Sequence, residues 1–303
     1  MRYLTLDVFT DRMFGGNQLA VFPDAREIPE ELLLPITREF NFSEVTFCYP
    51  SDDAVHTRRV RIFTPGEEMP FAGHPTIGTS AALALCEGAL GGAREGRLTL
   101  KLGVGTVPVE VRMESESLAW AELSVAKLPE VGPPVPTVTT LAEILSLEPS
   151  DFVGGTYSPQ AVSCGIPFLL APLKSVAAVS RARIRLDRWE QTLKKSWAPE
   201  IFVAARDPEQ GEQHWRARMF APGLNVPEDP ATGSAVAAFG GWLAMKDAKR
   251  DAEFGWTVRQ GIEMERPSLL QVRAEKKDGA VTAVRVSGHA VLTGEGALRL
   301  PPR

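Results

Sequence analysis

Residues Phe220 to Phe239 read FAPGLNVPEDPATGSAVAAF, and this stretch decides the fold. It begins like a strand end, turns through Pro222-Gly223 and passes the acidic pair Glu228-Asp229. It then enters an Ala-rich apolar run through Pro230, Ala231, Thr232, Gly233, Ser234 and Ala235. Thr, Gly and Ser at a helix start present unpaired backbone N–H groups and hydroxyls, a setting that binds anions. The carboxylate beside them repels an anion, so it suits a proton or an amine better. In isolation the segment is an ordinary capped helix.

The segment has a twin. RVRIFTPGEEMPFAGHPTIGTSAA (59–82) aligns with RARMFAPGLNVPEDPATGSAVA (216–237). Both share Arg-x-Arg-x-Phe-x-Pro-Gly, a Pro seven residues after the Phe (Pro70, Pro227), and a Pro-x-x-Gly step (Pro75 to Gly78, Pro230 to Gly233) at the helix start. A two-residue gap reconciles them. The strands upstream also match: Ser43-Glu44-Val45-Thr46-Phe47 against Pro199-Glu200-Ile201-Phe202-Val203 and, more loosely, residues 16–21 against 165–170. Such a repeat implies an α+β protein of two pseudo-symmetric domains, each with antiparallel strands wrapped around a central helix. The domains are expected at residues 1–127, completed by a strand near 290–303, and 128–289. Pro129, Pro133, Pro134 and Pro136 mark the linker candidate between them. Two matched helix starts predict a substrate cleft between the halves.

Size and composition fit this outline. The chain has 303 residues, 44% hydrophobic and 23% charged, the balance of a soluble globular protein. A net charge of −5 without a basic block argues against a nucleic-acid partner. The N-terminus alternates like a strand and lacks signal-peptide features, and no apolar run reaches membrane-spanning length, so a cytoplasmic protein is expected. The three cysteines, Cys48, Cys86 and Cys164, are too few and too irregularly spaced for a disulfide framework or a zinc site. The four histidines make no metal-ligand spacing.

Periodicity predicts helices over 29–40, 76–85, 140–147, 187–195 and 231–245, with strands between them. Gly73-x-x-x-x-Gly78-Thr79-Ser80 resembles a P-loop but lacks its Lys. Gly103-Val104-Gly105 lacks the third Gly of a dinucleotide fingerprint, and no Gly-x-Ser-x-Gly elbow is present.

The chemistry-bearing candidates are where the halves differ. His74 precedes Pro75, whereas Asp229 precedes Pro230, so one helix start carries an imidazole and the other a carboxylate. Glu44 lies among Phe42, Val45 and Phe47 at a helix-to-strand junction, where desolvation suits a general acid/base. Each has a plain structural alternative: a hydrogen-bonded loop histidine, a helix N-cap, a solvated edge glutamate. The matched Glu200 favours the last.

DVFTDRMFGGNQLAVF (7–22), NFSEVTF (41–47), FTPGEEMPFAGHPTIGTSAAL (63–83), FAPGLNVPEDPATGSAVAAF (220–239) and QGIEMERPS (260–268) together resemble the PhzF-like family of phenazine-biosynthesis isomerase relatives. The AGHPT and EDPATGSA blocks carry most of the specificity. The resemblance implies the diaminopimelate-epimerase-like fold and a homodimer. It also implies a cofactor-independent isomerase that acts on a small carboxylate-bearing substrate, cyclic or amino-acid-like. The residue matching Glu44 is then the proton shuttle, those matching His74 and Asp229 orient the substrate and assist, and Gly73, Gly233 and Ser234 supply N–H or hydroxyl contacts. No cysteine stands at either helix start, which excludes the two-cysteine chemistry of the epimerase relatives. Gln18 replaces a common Pro, and Glu265 a common Gly. A racemase or epimerase with unlike bases is the alternative enzyme, and a non-catalytic binding protein of the same fold is the third reading.

Overall fold

The computed structural model describes residues 1–301. Contacts divide the chain into two compact units, Met1–Ser124 with Ser287–Arg303, and Val125–Val286. Each is mixed α/β.

The first unit contains β1 (Arg2–Val8), β2 (Asn17–Phe22), α1 (Leu33–Phe40), β3 (Glu44–Tyr49), β4 (Arg58–Phe63), β5 (Glu68–Met69), α2 (Gly73–Glu87), β6 (Glu95–Leu102), β7 (Gly105–Met113) and β8 (Leu118–Ser124). β2 runs parallel to β3, placing Leu19 opposite Glu44. β3 and β4 are antiparallel, and β4 continues in parallel onto β6. The β6–β7–β8 meander follows.

α2 packs against β1, β2, β3, β7 and β8 and is buried from Gly73 through Ala84. Its sequence explains this: Ala, Gly, Thr and Leu surround the axis, with no charged face to present to water. Gly78 sets its distance from the strands. A Cβ there would fall 2.6 Å from both Leu19 Cδ2 and Val8 Cγ2, so the Pro-x-x-Gly glycine is a close-approach residue in this half.

The second unit contains β9 (Glu130–Val131), α3 (Val138–Leu145), β10 (Gln160–Ser163), β11 (Pro167–Pro172), α4 (Val176–Arg181), α5 (Leu186–Thr192), β12 (Ile201–Arg206), β13 (His214–Ala221), β14 (Val226–Asp229), α6 (Gly233–Lys246), β15 (Ala252–Gln260) and β16 (Ser268–Lys277). β17 (Ala280–Ala297) begins in this unit, and its residues from Ser287 onward belong to the first, where they pair with β1. The pairing order repeats: β11 parallel to β12, β12 antiparallel to β13, β13 parallel to β15, and β15 antiparallel to β16. α6 packs against β10, β11, β15 and β16.

The Arg-x-Arg element of the repeat is structural in both units. Arg61 forks onto Glu68 of β5 at 2.7 and 2.6 Å. Arg218 forks onto Glu228 of β14 at 2.8 Å for both bonds. Each bidentate pair pins the short strand that leads to the buried helix.

Several expectations need correction. The Pro-rich segment is no spacer: Glu130-Val131 pairs with β10, and Gly132 N donates to the Ala161 carbonyl at 2.9 Å. α2 starts at Gly73, ahead of the expected Thr76, because Pro75 fits the first turn, where no N–H is needed. The helix expected over 29–40 opens with a 3-10 turn at Glu30–Leu32 before α1. α4 has no counterpart in the periodicity reading; six residues are too few to show a helical repeat.

Candidate active site

Three chain segments meet at the start of α2. β2 brings Asn17 and Gln18, β3 brings Glu44 at its first residue, and the first turn of α2 brings Gly73 and His74. Because Glu44 lies opposite Leu19 in the parallel pair, its neighbours across the ladder are the residues at the head of β2. His74 is buried at 4% exposure, and the Glu44 side chain keeps 17%.

The ring of His74 has a defined role for each nitrogen. Nε2 lies 3.3 Å from the Gln18 carbonyl. A carbonyl only accepts, so Nε2 carries the proton and Nδ1 is the acceptor. Nδ1 faces Glu44 Oε2 at 3.3 Å and, in a longer contact, Asn17 Nδ2 at 3.5 Å. Ser43 Oγ donates to Asn17 Oδ1 at 3.4 Å, which leaves the Asn17 amide NH₂ for the imidazole. Burial pushes the His74 pKa down to about 3, with the Gln18 carbonyl opposing in part. His74 is therefore neutral near pH 7. The Glu44–His74 contact lies within ion-pair distance, yet with His74 neutral it is a close approach of a carboxyl oxygen to an unprotonated ring nitrogen and not an ion pair.

The second unit gathers Asp229, Thr232, Gly233, Ser234 and Gln260. Asp229 ends β14, and Thr232 Oγ1 donates to its Oδ2 in a short hydrogen bond. Gln260 Nε2 donates to the Asp229 carbonyl at 2.7 Å and contacts Thr232 Oγ1 at 3.2 Å, while Thr232 N donates to Gln260 Oε1 at 3.3 Å. The loop after β15 turns at Gly261, whose φ of 72° and approach to the Pro230 carbonyl exclude a side chain. QGIEMERPS is thus the clamp on the EDPATGSA loop.

His74 was expected before the helix and lies within its first turn. Asp229 was expected at the α6 start and stands instead on a strand end, four residues ahead of Gly233. Gly73 and Gly233 are buried first residues of their helices, and Ser234 follows, half-buried. Neither α2 nor α6 has a capping side chain, so the first-turn N–H groups of both lack that partner.

Sequence reasoning missed Asn17 and Gln260. Both lie inside segments it quoted, but their contacts come from residues far along the chain. Glu200, the counterpart of Glu44, is buried at 3% exposure and, among the described residues, is paired with no histidine. Its Oε2 accepts from Gly223 N at 3.4 Å, and burial pushes its pKa up to about 7. Burial also raises Cys48 and Cys164 to about 12, so both are inert thiols at neutral pH. Among the described residues, no group of three or more His, Cys, Asp or Glu could hold a metal ion. Among the same residues, no helix is long and apolar enough to cross a membrane.

Comparison with known proteins agrees with the fold. The profile of the family described as phenazine biosynthesis-like protein matches residues 6–296. An uncharacterized isomerase of Mesorhizobium japonicum is 36% identical over 299 residues, covering 98% of both chains. The trans-2,3-dihydro-3-hydroxyanthranilate isomerase of Pseudomonas aeruginosa is 34% identical over 304 residues, covering 97% of this chain and 98% of that one. A Bacillus anthracis protein of the PhzF family superposes with a TM-score of 0.87 at 24% identity, with 99% of each chain covered. A probable proline racemase of Agrobacterium radiobacter, at 12% identity and a TM-score of 0.62 with 99% of this chain and 93% of that one covered, shares the fold alone.

Proposed function

Since the chain belongs to the family of phenazine biosynthesis-like proteins and is an isomerase, we propose that it moves a proton between two carbons of a small carboxylate-bearing substrate, cyclic or amino-acid-like, with Glu44 as the shuttle. Glu44 takes the proton from a carbon made acidic by conjugation and returns it, now as an acid, to another carbon. The reaction needs one group that is base and then acid within a turnover.

The observation that carries this reading is the Glu44–His74 pair. A neutral His74, its Nδ1 unprotonated and 3.3 Å from Glu44 Oε2, can exchange its longer Asn17 contact for the carboxyl proton midway through the cycle. It holds the acid form in place without adding a charge that would trap the carboxylate. Gly73, Gly233 and Ser234, on helix starts without capping side chains, are proposed to bind the substrate's polar groups and the negative charge that develops. Asp229, braced by Thr232 and Gln260, is proposed to orient the substrate. A diaminopimelate-epimerase-like, pseudo-symmetric pair of domains and a homodimer are proposed on the same footing.

The Pseudomonas aeruginosa relative makes trans-2,3-dihydro-3-hydroxyanthranilate the first substrate to try. Purified protein would be mixed with it in the absence of added cofactor, and the ring proton shift followed by NMR. Turnover abolished in Glu44→Gln supports the proposal. Turnover that persists in Glu44→Gln removes Glu44 as the shuttle. If this compound is inert, solvent-deuterium exchange into a panel of cyclic and open-chain amino carboxylates gives the substrate class, and exchange into none of those that bind favours the non-catalytic reading.

A further inference from the structure

The second unit contains a cavity of about 300 Å³ that the proposed reaction does not use. Val153, Pro172 and Leu173 form its apolar wall, and Tyr157 and Trp215 its aromatic wall. Lys174 and Arg206 supply two exposed cations. It lies at the end of the β12–β13 ladder where Arg206 faces Trp215. Asp229 pairs with Met219 toward the other end of β13. Four residue steps along β13 separate the two positions, about 13 Å of rise.

Three features distinguish this cavity from an ordinary gap in packing. Among the described residues, neither Lys174 nor Arg206 has a carboxylate at ion-pair distance; the Arg206 guanidinium instead lies 5.0 Å over the Trp215 ring and donates to the Glu212 carbonyl at 3.3 Å. The Trp215 side chain is buried at 5% exposure, and its indole N–H has no acceptor, which is uncommon for a buried donor. The first unit has a cavity beside Pro23 where this one has Pro172, and there both arginines are paired with carboxylates. Arg2 pairs with Glu87 at 2.5 Å and with Glu295 at 3.1 Å, and Arg26 pairs with Asp24 at 2.5 Å. The two cations of this cavity thus lack the carboxylate partners that Arg2 and Arg26 have beside Pro23.

We propose that this cavity is a second ligand site for a small organic monoanion with a flat apolar body, an aryl carboxylate in chemical class. The ring would lie against Leu173, Pro172 and Trp215. The carboxylate would meet Lys174 and Arg206. Its volume lies at the lower end of the range of small-molecule pockets. The apolar body supplies burial, and the two cations select an anion over a neutral analogue.

The test uses the intact protein with benzoate as the probe and benzyl alcohol as its uncharged analogue, titrated by calorimetry at low and high salt. The expected result is saturable benzoate binding that weakens with salt, with benzyl alcohol about tenfold weaker. The Lys174→Gln/Arg206→Gln double variant should bind benzoate about tenfold more weakly, and His74→Asn should bind it as the wild type does. The ¹⁵N-indole resonance of Trp215, assigned through Trp215→Phe, should shift on titration. Absence of saturable binding, equal binding of benzyl alcohol, or unchanged affinity in the double variant would overturn the proposal. Binding lost in His74→Asn but kept in the double variant would place benzoate at the α2 start and overturn it too. If the double variant does not fold, the salt dependence and the benzoate-to-benzyl-alcohol ratio on wild-type protein decide alone.

Discussion

His74 Nδ1 lies 3.3 Å from Glu44 Oε2, while Nε2 of the same ring is committed to the Gln18 carbonyl. One backbone oxygen thus decides which nitrogen faces the carboxyl group. It makes the imidazole a proton acceptor toward Glu44 and not a counter-ion. The burial that holds His74 near a pKa of 3 keeps that arrangement through the neutral range.

The stability of the fold should record this neutral histidine. An unfolded His74 takes up a proton as pH falls through about 6.5, while the folded one resists until about 3. Its contribution is complete above 6.5 and declines as pH drops across that window. Each pH unit inside it weakens the wild type by up to about 1.4 kcal/mol relative to His74→Asn, which has no such group. Urea denaturation of both proteins between pH 7 and pH 4.5 measures the difference in slope.

Glu200 titrates in the opposite sense. Its folded pKa is raised to about 7, so the stability linked to its protonated form is complete below about 4.5 and is lost as pH rises through 7. Glu200→Gln removes that loss. At pH 8 the variant should gain on the order of 2 kcal/mol on the wild type relative to the comparison at pH 5. A stability difference that does not change with pH would show that Glu200 is ionised in the native state throughout.

These two glutamates also show how far the sequence could be read. The repeat was visible because both units use the same Arg-x-Arg fork and the same buried helix, and each leaves a local mark. The matched positions of Glu44 and Glu200 were therefore legible. What separates them was not. Glu44 faces a histidine whose tautomer is chosen by a backbone oxygen, and a backbone oxygen has no residue-type signature. Asp229 was assigned to a helix start because Pro230 follows it, whereas the chain inserts the end of β14 and an extra loop turn first. Gln260 acts on residues 28 and 31 positions earlier in the chain, beyond the reach of any local pattern.

Gln260→Leu tests that clamp. The substitution keeps the volume but strips the Asp229 carbonyl and Thr232 N of their partners. A loss of about 1–3 kcal/mol is expected from the unpaired groups. Because Asp229 loses its brace, KM should rise on any substrate found while Glu44-dependent exchange continues. Unchanged stability and unchanged KM would show that Gln260 only fills space.

Glu265 occupies a left-handed conformation with φ 58°, which accounts for the Gly common at this position in PhzF-like sequences. The strain is offset in part by the entropy a glycine would lose on folding. Glu265→Gly is therefore expected to change stability favourably by no more than about 1 kcal/mol and to leave catalysis unaltered. A clear destabilisation would show that the Glu265 side chain makes a contact that outweighs its backbone strain.

The proton shuttle itself is tested most directly by isotope tracing. A substrate deuterated at the carbon that loses its proton would be converted in H₂O by wild type, Glu44→Gln and Asp229→Asn. A single shuttling carboxyl predicts that part of the deuterium reappears at the new carbon, on the same face, with wild-type protein. It predicts a rate lower by about 10²–10⁴ in Glu44→Gln. Complete washout with inverted configuration, or a Glu44→Gln variant that converts substrate at the wild-type rate, would contradict the account.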